Sequence, residues 1–257
     1  LEDDLGVRLF ERSHRGLRLT KAGESLKEDA PALIRLSREI SLRAATAMNG
    51  DWNIIRIGTS PLTPAEVLAD LWPKLSVVLP GLKFQLVPFD NTSENARMIL
   101  RNLGEDIDVV AGLFDVNLLN YRECNGIELS KEKLCVSFSV NHPLAQKNKL
   151  TIKDLYGQEL MMLAPGSMGS MDALRAYLTS HHPKIRLVDF PLYDTGVFNE
   201  CVNCGRLLIT IERWKNIHPL LRTVRMGWKY NMPYGLLYPK TPDKRIEQFI
   251  AALKEIM

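Results

Sequence analysis

The sequence predicts an α/β protein carrying a small basic module in front. Three observations lead there. After Gly50, short apolar runs such as "NIIRIGTS", "KFQLVPF" and "DVVAGLF" alternate with helix-like stretches such as "NTSENARMILRNLGEDI" and "SMDALRAYLTSH". That alternation is the rhythm of α/β units on mostly parallel sheets. Before Gly50, apolar residues recur at heptad spacing over one long stretch, and ahead of that stretch lies a short cationic turn.

The turn comes first in the chain. "ERSHRGLRLT" reads as a β-ribbon, with Gly16 as the permissive turn residue and Leu17 and Leu19 alternating with Arg18. Arg12, Arg15 and Arg18 would splay outwards from it. A guanidinium fork stays charged and donates in a plane, which suits phosphate oxygens or a narrow minor groove. A solvated surface hairpin explains the same run equally well.

Thr20 is placed to cap a helix over 21–49 that stops at Asn49-Gly50. Leu26, Ala30, Leu33, Ser37, Ile40, Ala44 and Ala47 follow spacings of four and three, the a/d seam of a helix paired with a second copy of itself. Pro31 bends such a helix, and Ser37 interrupts the seam. From Asp51 on, "PAEVLADLWPKLSVVLP" reads as one helix. "KLCVSFSV", "ELMMLA", "IRLVDF", "LLITI" and "YGLLYPK" read as strands, and "DKRIEQFIAALKEIM" as a closing amphipathic helix.

Composition narrows the function classes. The chain has 257 residues, 46% of them hydrophobic and 25% charged, with a formal charge of +3. Its basic character is therefore local rather than that of a general polyanion binder. No apolar run approaches the roughly 18 to 20 residues a membrane span needs, so no membrane partner is expected and the expected address is the cytoplasm. Four cysteines are too few for a disulfide scaffold at this length. Leu1 is not a start methionine and "LEDDLGVRLFER" opens as if within a helix, so a natural N-terminal segment is expected to precede it.

"LEDDLGVRLFERSHRGLRLTKAGESL" resembles the end of the DNA-binding domain of LysR-type transcriptional regulators: the tail of the recognition helix, the wing, and a Leu-Thr-x-Ala-Gly opening to the linker helix. "VNHPLAQKNKLTIKDLYGQELMML", "LGEDIDVVAG" and "FNECVNCGRLLITIERW" are similar to segments of the same family's effector-binding domain. The resemblance implies a two-lobed effector domain like a periplasmic solute-binding protein, preceded by a linker helix and the remnant of a winged helix-turn-helix. It divides the chain into 1–20 (end of the DNA-binding domain), 21–49 (linker and dimerisation helix), 51–134 with 236–257 (first lobe) and 135–235 (second lobe). It implies double-stranded DNA as a partner of the full-length protein, with Arg12, Arg15 and Arg18 as wing contacts. A small effector and a homodimer or homotetramer are implied as well.

Ligands of open α/β sheets sit beyond the carboxyl ends of strands, at helix starts. Three such junctions fit. "GTSPLT" offers Thr59, Ser60 and Thr63; "APGSMGS" offers Gly166, Ser167 and Met168; "YDTGVF" offers Thr195. Phe114 is expected beside them. Hydroxyls at helix starts favour an anion, so a small anionic metabolite is the expected ligand class, although each hydroxyl would serve as a plain helix cap too.

Cys201 and Cys204 form a C-x-x-C, which makes a thiol redox sensor an alternative. Zinc would need two further ligands at matching spacing, so no metal or other cofactor is expected. Glu105, Asp106 and Asp108 read as a solvated acidic turn. No G-x-S-x-G, G-x-G-x-x-G, P-loop or H-E-x-x-H is present, and enzyme chemistry is not expected. A stand-alone solute-binding module is the remaining alternative, weakened by the basic turn and the heptad helix.

Overall fold

The computed structural model describes residues 1–13, 16–27, 29–30, 33–34, 37, 54–90 and 92–257. The chain divides into two compact units, Leu1–Trp52 and Asn53–Met257.

The first unit opens with a helical turn, Glu2–Leu5, closed by Gly6 in the left-handed region (φ 67°). Strands β1 (Phe10–Ser13) and β2 (Gly16–Leu19) then pair antiparallel, with Ser13 opposite Gly16 at the turn. Glu2 reaches forward and its carboxylate accepts from the Leu9 and Phe10 N–H groups at 2.5 and 3.0 Å. These bonds hold the Glu2 carboxyl below its usual range.

Thr20 couples the ribbon to the following helix. Its hydroxyl donates to the Arg8 carbonyl (2.7 Å) and accepts from the Gly23 N–H (3.1 Å), capping the helical residues 21–27. A side chain at position 23 would overlap the Leu9 carbonyl oxygen, so glycine is needed where helix and strand touch. Leu33 and Ile34 are exposed in the single chain. Ile40, Ala44, Ala47 and the expected stop at Asn49-Gly50 lie outside the described residues.

The second unit is organised by one long strand. β3 (Ile54–Thr59), β4 (Lys83–Pro88) and β5 (Val109–Leu113) are parallel, with β3 between the other two. β6 (Cys124–Ser139) follows, and its two halves have different neighbours. Residues Cys124–Lys133 pair with β11 (Asn231–Pro239), which also pairs with β5. From Leu134 on, β6 pairs instead with β9 (Leu207–Ile211) and β10 (Leu221–Arg225). β7 (Glu159–Leu163) lies parallel to both β9 and β8 (Arg186–Phe190). The result is two half-sheets sharing β6, with helices following their strands. In β11 the pairing slips between Tyr234 and Gly235, and a Cβ at Gly235 would run into the Ile127 carbonyl.

Two sequence expectations change. "PAEVLADLWPKLSVVLP" forms two helices, Glu66–Ala69 and Trp72–Val78, with Pro73 at the start of the second. Proline has no N–H to continue the first helix but suits the opening of the next. Asp108 is not part of a solvated turn: it is fully buried. It accepts from the Arg56 backbone N–H (2.8 Å) and guanidinium (2.6 and 3.2 Å), and from Arg245 (2.8 and 2.9 Å). Arg245 belongs to the closing helix Lys244–Ile256, so this cluster fastens that helix to the start of β5.

Candidate functional site

The second unit contains a cavity where the two half-sheets meet. Leu62, Thr63, Phe89, Ile99, Leu100, Val110–Leu113, Leu118 and Leu237 come from one side, and Met168, Leu192, Tyr193 and Trp214 from the other. Its empty volume, open mouth included, is about 650 Å³. The indole N–H of Trp214 donates to the Leu62 carbonyl at 3.0 Å across the cavity. Tyr193 donates to the Ile209 carbonyl at 2.6 Å, and burial raises its phenol well above the ordinary range.

Of the residues expected to bind an effector, Thr63 and Met168 line this cavity. Ser60 stands just behind, its hydroxyl 2.8 Å from that of Thr63. Thr59, at the end of β3, is outside the lining; its carbonyl accepts from Phe89 N–H. Phe114 does not face the cavity. It is buried in a separate cluster with Leu103, Ile107, Val110, Cys124 and Leu237, its ring close over Gly126.

The two remaining junctions are occupied by the chain's own carboxylates. Gly166 (φ 81°) donates its N–H to both oxygens of Asp172 at 3.1 Å, and Ser167 N–H goes to the Ala164 carbonyl. Thr195 is exposed at the start of the helix Thr195–Asn203, which Asp194 caps through Val197 N–H (2.9 Å). Neither Gly166, Ser167 nor Thr195 lines the cavity. Among the described residues, the cavity wall is apolar apart from Thr63, Tyr193 and Trp214.

The residue that sequence reasoning missed is Asp115. One of its oxygens accepts from Leu118 N–H (3.0 Å) and caps the helix Val116–Tyr121. The other accepts from Gly169 N–H (2.5 Å), the first residue of the helix Gly169–His181 in the opposite half. "FDVN" carries the local capping signal, but nothing in the sequence places Gly169, 54 residues on, against it.

The thiols are poorly suited to redox sensing. Cys201 is buried, donates to the Arg206 carbonyl at 3.1 Å, and is pushed up to about 12 by burial. Cys124 and Cys135 are buried and raised to about 11, whereas Cys204 is exposed. A buried protonated thiol is a slow nucleophile. Among the described residues no group of His, Cys, Asp and Glu could hold a metal ion, and no helix is long and apolar enough to cross a membrane.

On the first unit, the register sets Arg12 opposite Leu17 and Arg18 opposite Glu11. Arg18 is exposed, and Arg15 lies outside the described residues.

The first unit thus holds a ribbon with an exposed arginine and a capped helix, and the second is a two-part α/β unit with a cavity. The comparisons with known proteins give the family. Residues 53–257 match the LysR substrate binding domain, and residues 1–24 match the bacterial regulatory helix-turn-helix protein, lysR family. The chain belongs to the LysR family. It is 28% identical to the Hca operon transcriptional activator HcaR of Escherichia coli K12 over 66% of this chain and 55% of that protein. It is also 28% identical to the hydrogen peroxide-inducible genes activator of Haemophilus influenzae, over 65% of this chain and 53% of that protein. The matches thus span about half the length of these curated relatives. Its fold is that of full-length CbnR, solved complexed with its target DNA, with a TM-score of 0.66 at 17% identity over 100% of this chain and 86% of that one.

Proposed function

We propose that the chain is the sensing part of a LysR-type transcriptional regulator, working in the cytoplasm as a homo-oligomer on double-stranded DNA. The observation that carries this reading is the cavity shared by two half-sheets in the same chain as a wing ribbon. In the full-length protein, Arg12, Arg15 and Arg18 contact the DNA backbone or minor groove beside the recognition helix. The seam Leu26, Ala30, Leu33 and Ser37 pairs two copies, consistent with the exposed Leu33.

An effector binds in the cavity, with Thr63 and Met168 in its wall and Ser60 supporting Thr63. Binding changes the spacing of paired DNA-binding domains only through a difference in affinity between two arrangements of the halves. We place the boundary of the halves near residues 133 and 230 rather than 134 and 235, because Asn231–Tyr234 already pair with the first half of β6. The matched lysR helix-turn-helix segment disfavours a stand-alone solute-binding module. Burial of Cys201 disfavours a thiol sensor.

A thermal-shift screen tests the reading. Saturation at 100 times the dissociation constant adds about 2.7 kcal/mol of stability. A hit should be lost in Ala111→Phe, which fills the cavity, and weakened in Thr63→Val. A hit that survives Ala111→Phe would remove the cavity as the effector site.

A further inference from the structure

We propose that Asp115 is a latch between the two halves of the second unit: one carboxylate holds the starts of two helices, one from each half, and fixes the angle at which the halves meet. The inference goes beyond the effector reading, because the latch acts whether or not the cavity is filled.

Two helix starts meet at this residue. The helix Val116–Tyr121 belongs to the first half and the helix Gly169–His181 to the second. One oxygen of Asp115 accepts from Leu118 N–H (3.0 Å) and the other from Gly169 N–H (2.5 Å). The approach is close, since a Cβ at Gly169 would lie 3.5 Å from the carboxylate and 3.6 Å from the side-chain nitrogen of Asn117. A helix start carries partial positive charge on its N–H groups. Two such starts repel each other when nothing separates them, whereas a carboxylate between them attracts both. The contact is therefore more than a cap. A rotation that moves Gly169 off the carboxylate loses a charged bond while the cap on Leu118 stays.

The latch stands at the rim of the cavity. Leu118, whose N–H it holds, lines the cavity from the first half, and Met168, the residue before Gly169, lines it from the second. The angle that Asp115 favours is thus the one at which these two side chains share a wall. Trp214 also spans the halves, donating to the Leu62 carbonyl at 3.0 Å, but that bond joins uncharged groups. Charge-assisted bonds are roughly twice as strong as neutral ones, so the carboxylate weighs more in setting the angle.

The test reads the angle in the whole chain with no ligand added. Nitroxide labels on Cys204, exposed in the second half, and on Val77→Cys, exposed in the first, report their separation by pulsed electron paramagnetic resonance. Dilution with unlabelled protein confines the signal to pairs within one chain, and the three buried cysteines stay unlabelled. The parent should give a single distance. Asp115→Asn keeps an acceptor for Leu118 but removes the charge and one of the two acceptor oxygens. Gly169→Pro removes the donor from the other side; proline suits the first position of a helix, and Met168 before it is already extended (φ −151°, ψ 127°). Each variant should add a second distance, and the Gly169 amide of Asp115→Asn should exchange about ten-fold faster than in the parent, as expected for loss of a bond to a charged group. The double variant should match either single one, because both break the same bond. A single unchanged distance in both variants would overturn the latch. A double variant in which the two effects add in full would overturn it too, since the positions would then act independently. If either variant does not fold, the other carries the comparison beside Asp115→Ala. Failure of every compound in the thermal-shift screen would count against the effector reading and leave these distances to decide the latch.

Discussion

Two aspartates flank β5, and they are held in opposite ways. Asp108, at the start, is fully buried and receives two guanidinium groups and one backbone N–H. Asp115, beyond the end, is half-buried and receives two backbone N–H groups from different halves of the unit. Losing a buried carboxylate among arginines is costly, because among the described residues it leaves Arg56 with backbone carbonyls alone and Arg245 with Asp243 as its one carboxylate. A carboxylate on helix N–H groups at a rim can be replaced by water or by another anion. One end of the strand is a fixture and the other an exchangeable contact.

The sharpest test of that difference is Asp108→Ala, which should lower the unfolding free energy by about 3–5 kcal/mol in urea denaturation, the cost of breaking a buried pair. Trp214→Phe leaves the Leu62 carbonyl buried without its donor and should cost about 1–3 kcal/mol. Asp115→Ala should cost only about 1 kcal/mol, the worth of a helix cap. A loss as large as that of Asp108 would break the comparison.

The smallest effect is kinetic. At pH 8 a thiol reagent should modify Cys204 promptly and Cys124, Cys135 and Cys201 only on unfolding, since burial keeps those three protonated. Because Cys124 sits in the core cluster packed on β5, Asp108→Ala should speed its labelling and Asp115→Ala should not.

The same contrast explains what the sequence could reveal. Local chemistry was legible. The ribbon follows from Gly16 between alternating residues, the helix start from Thr20, and Thr63 and Met168 reach the cavity from junctions that composition picks out. Phe114 was misplaced because a residue after a strand can turn to either side, and its choice was set by the open space over Gly126. Asp108 looked solvated because its partners, Arg56 and Arg245, lie 52 and 137 residues away. The first half of β6, "CNGIELSK", carries too mixed a pattern to announce a strand and is defined by β11.

The shared strand β6 has a mechanical consequence. It runs unbroken from one half-sheet into the other, and the return between β10 and β11 crosses close beside it. Two neighbouring tethers of fixed length cannot let the halves slide or separate, since either would tear ladder bonds at Lys133–Leu134 or Asn231. What they permit is rotation about a single line through both crossings. Any molecule seated in the cavity can therefore transmit one quantity to the rest of the protein, the angle between its halves.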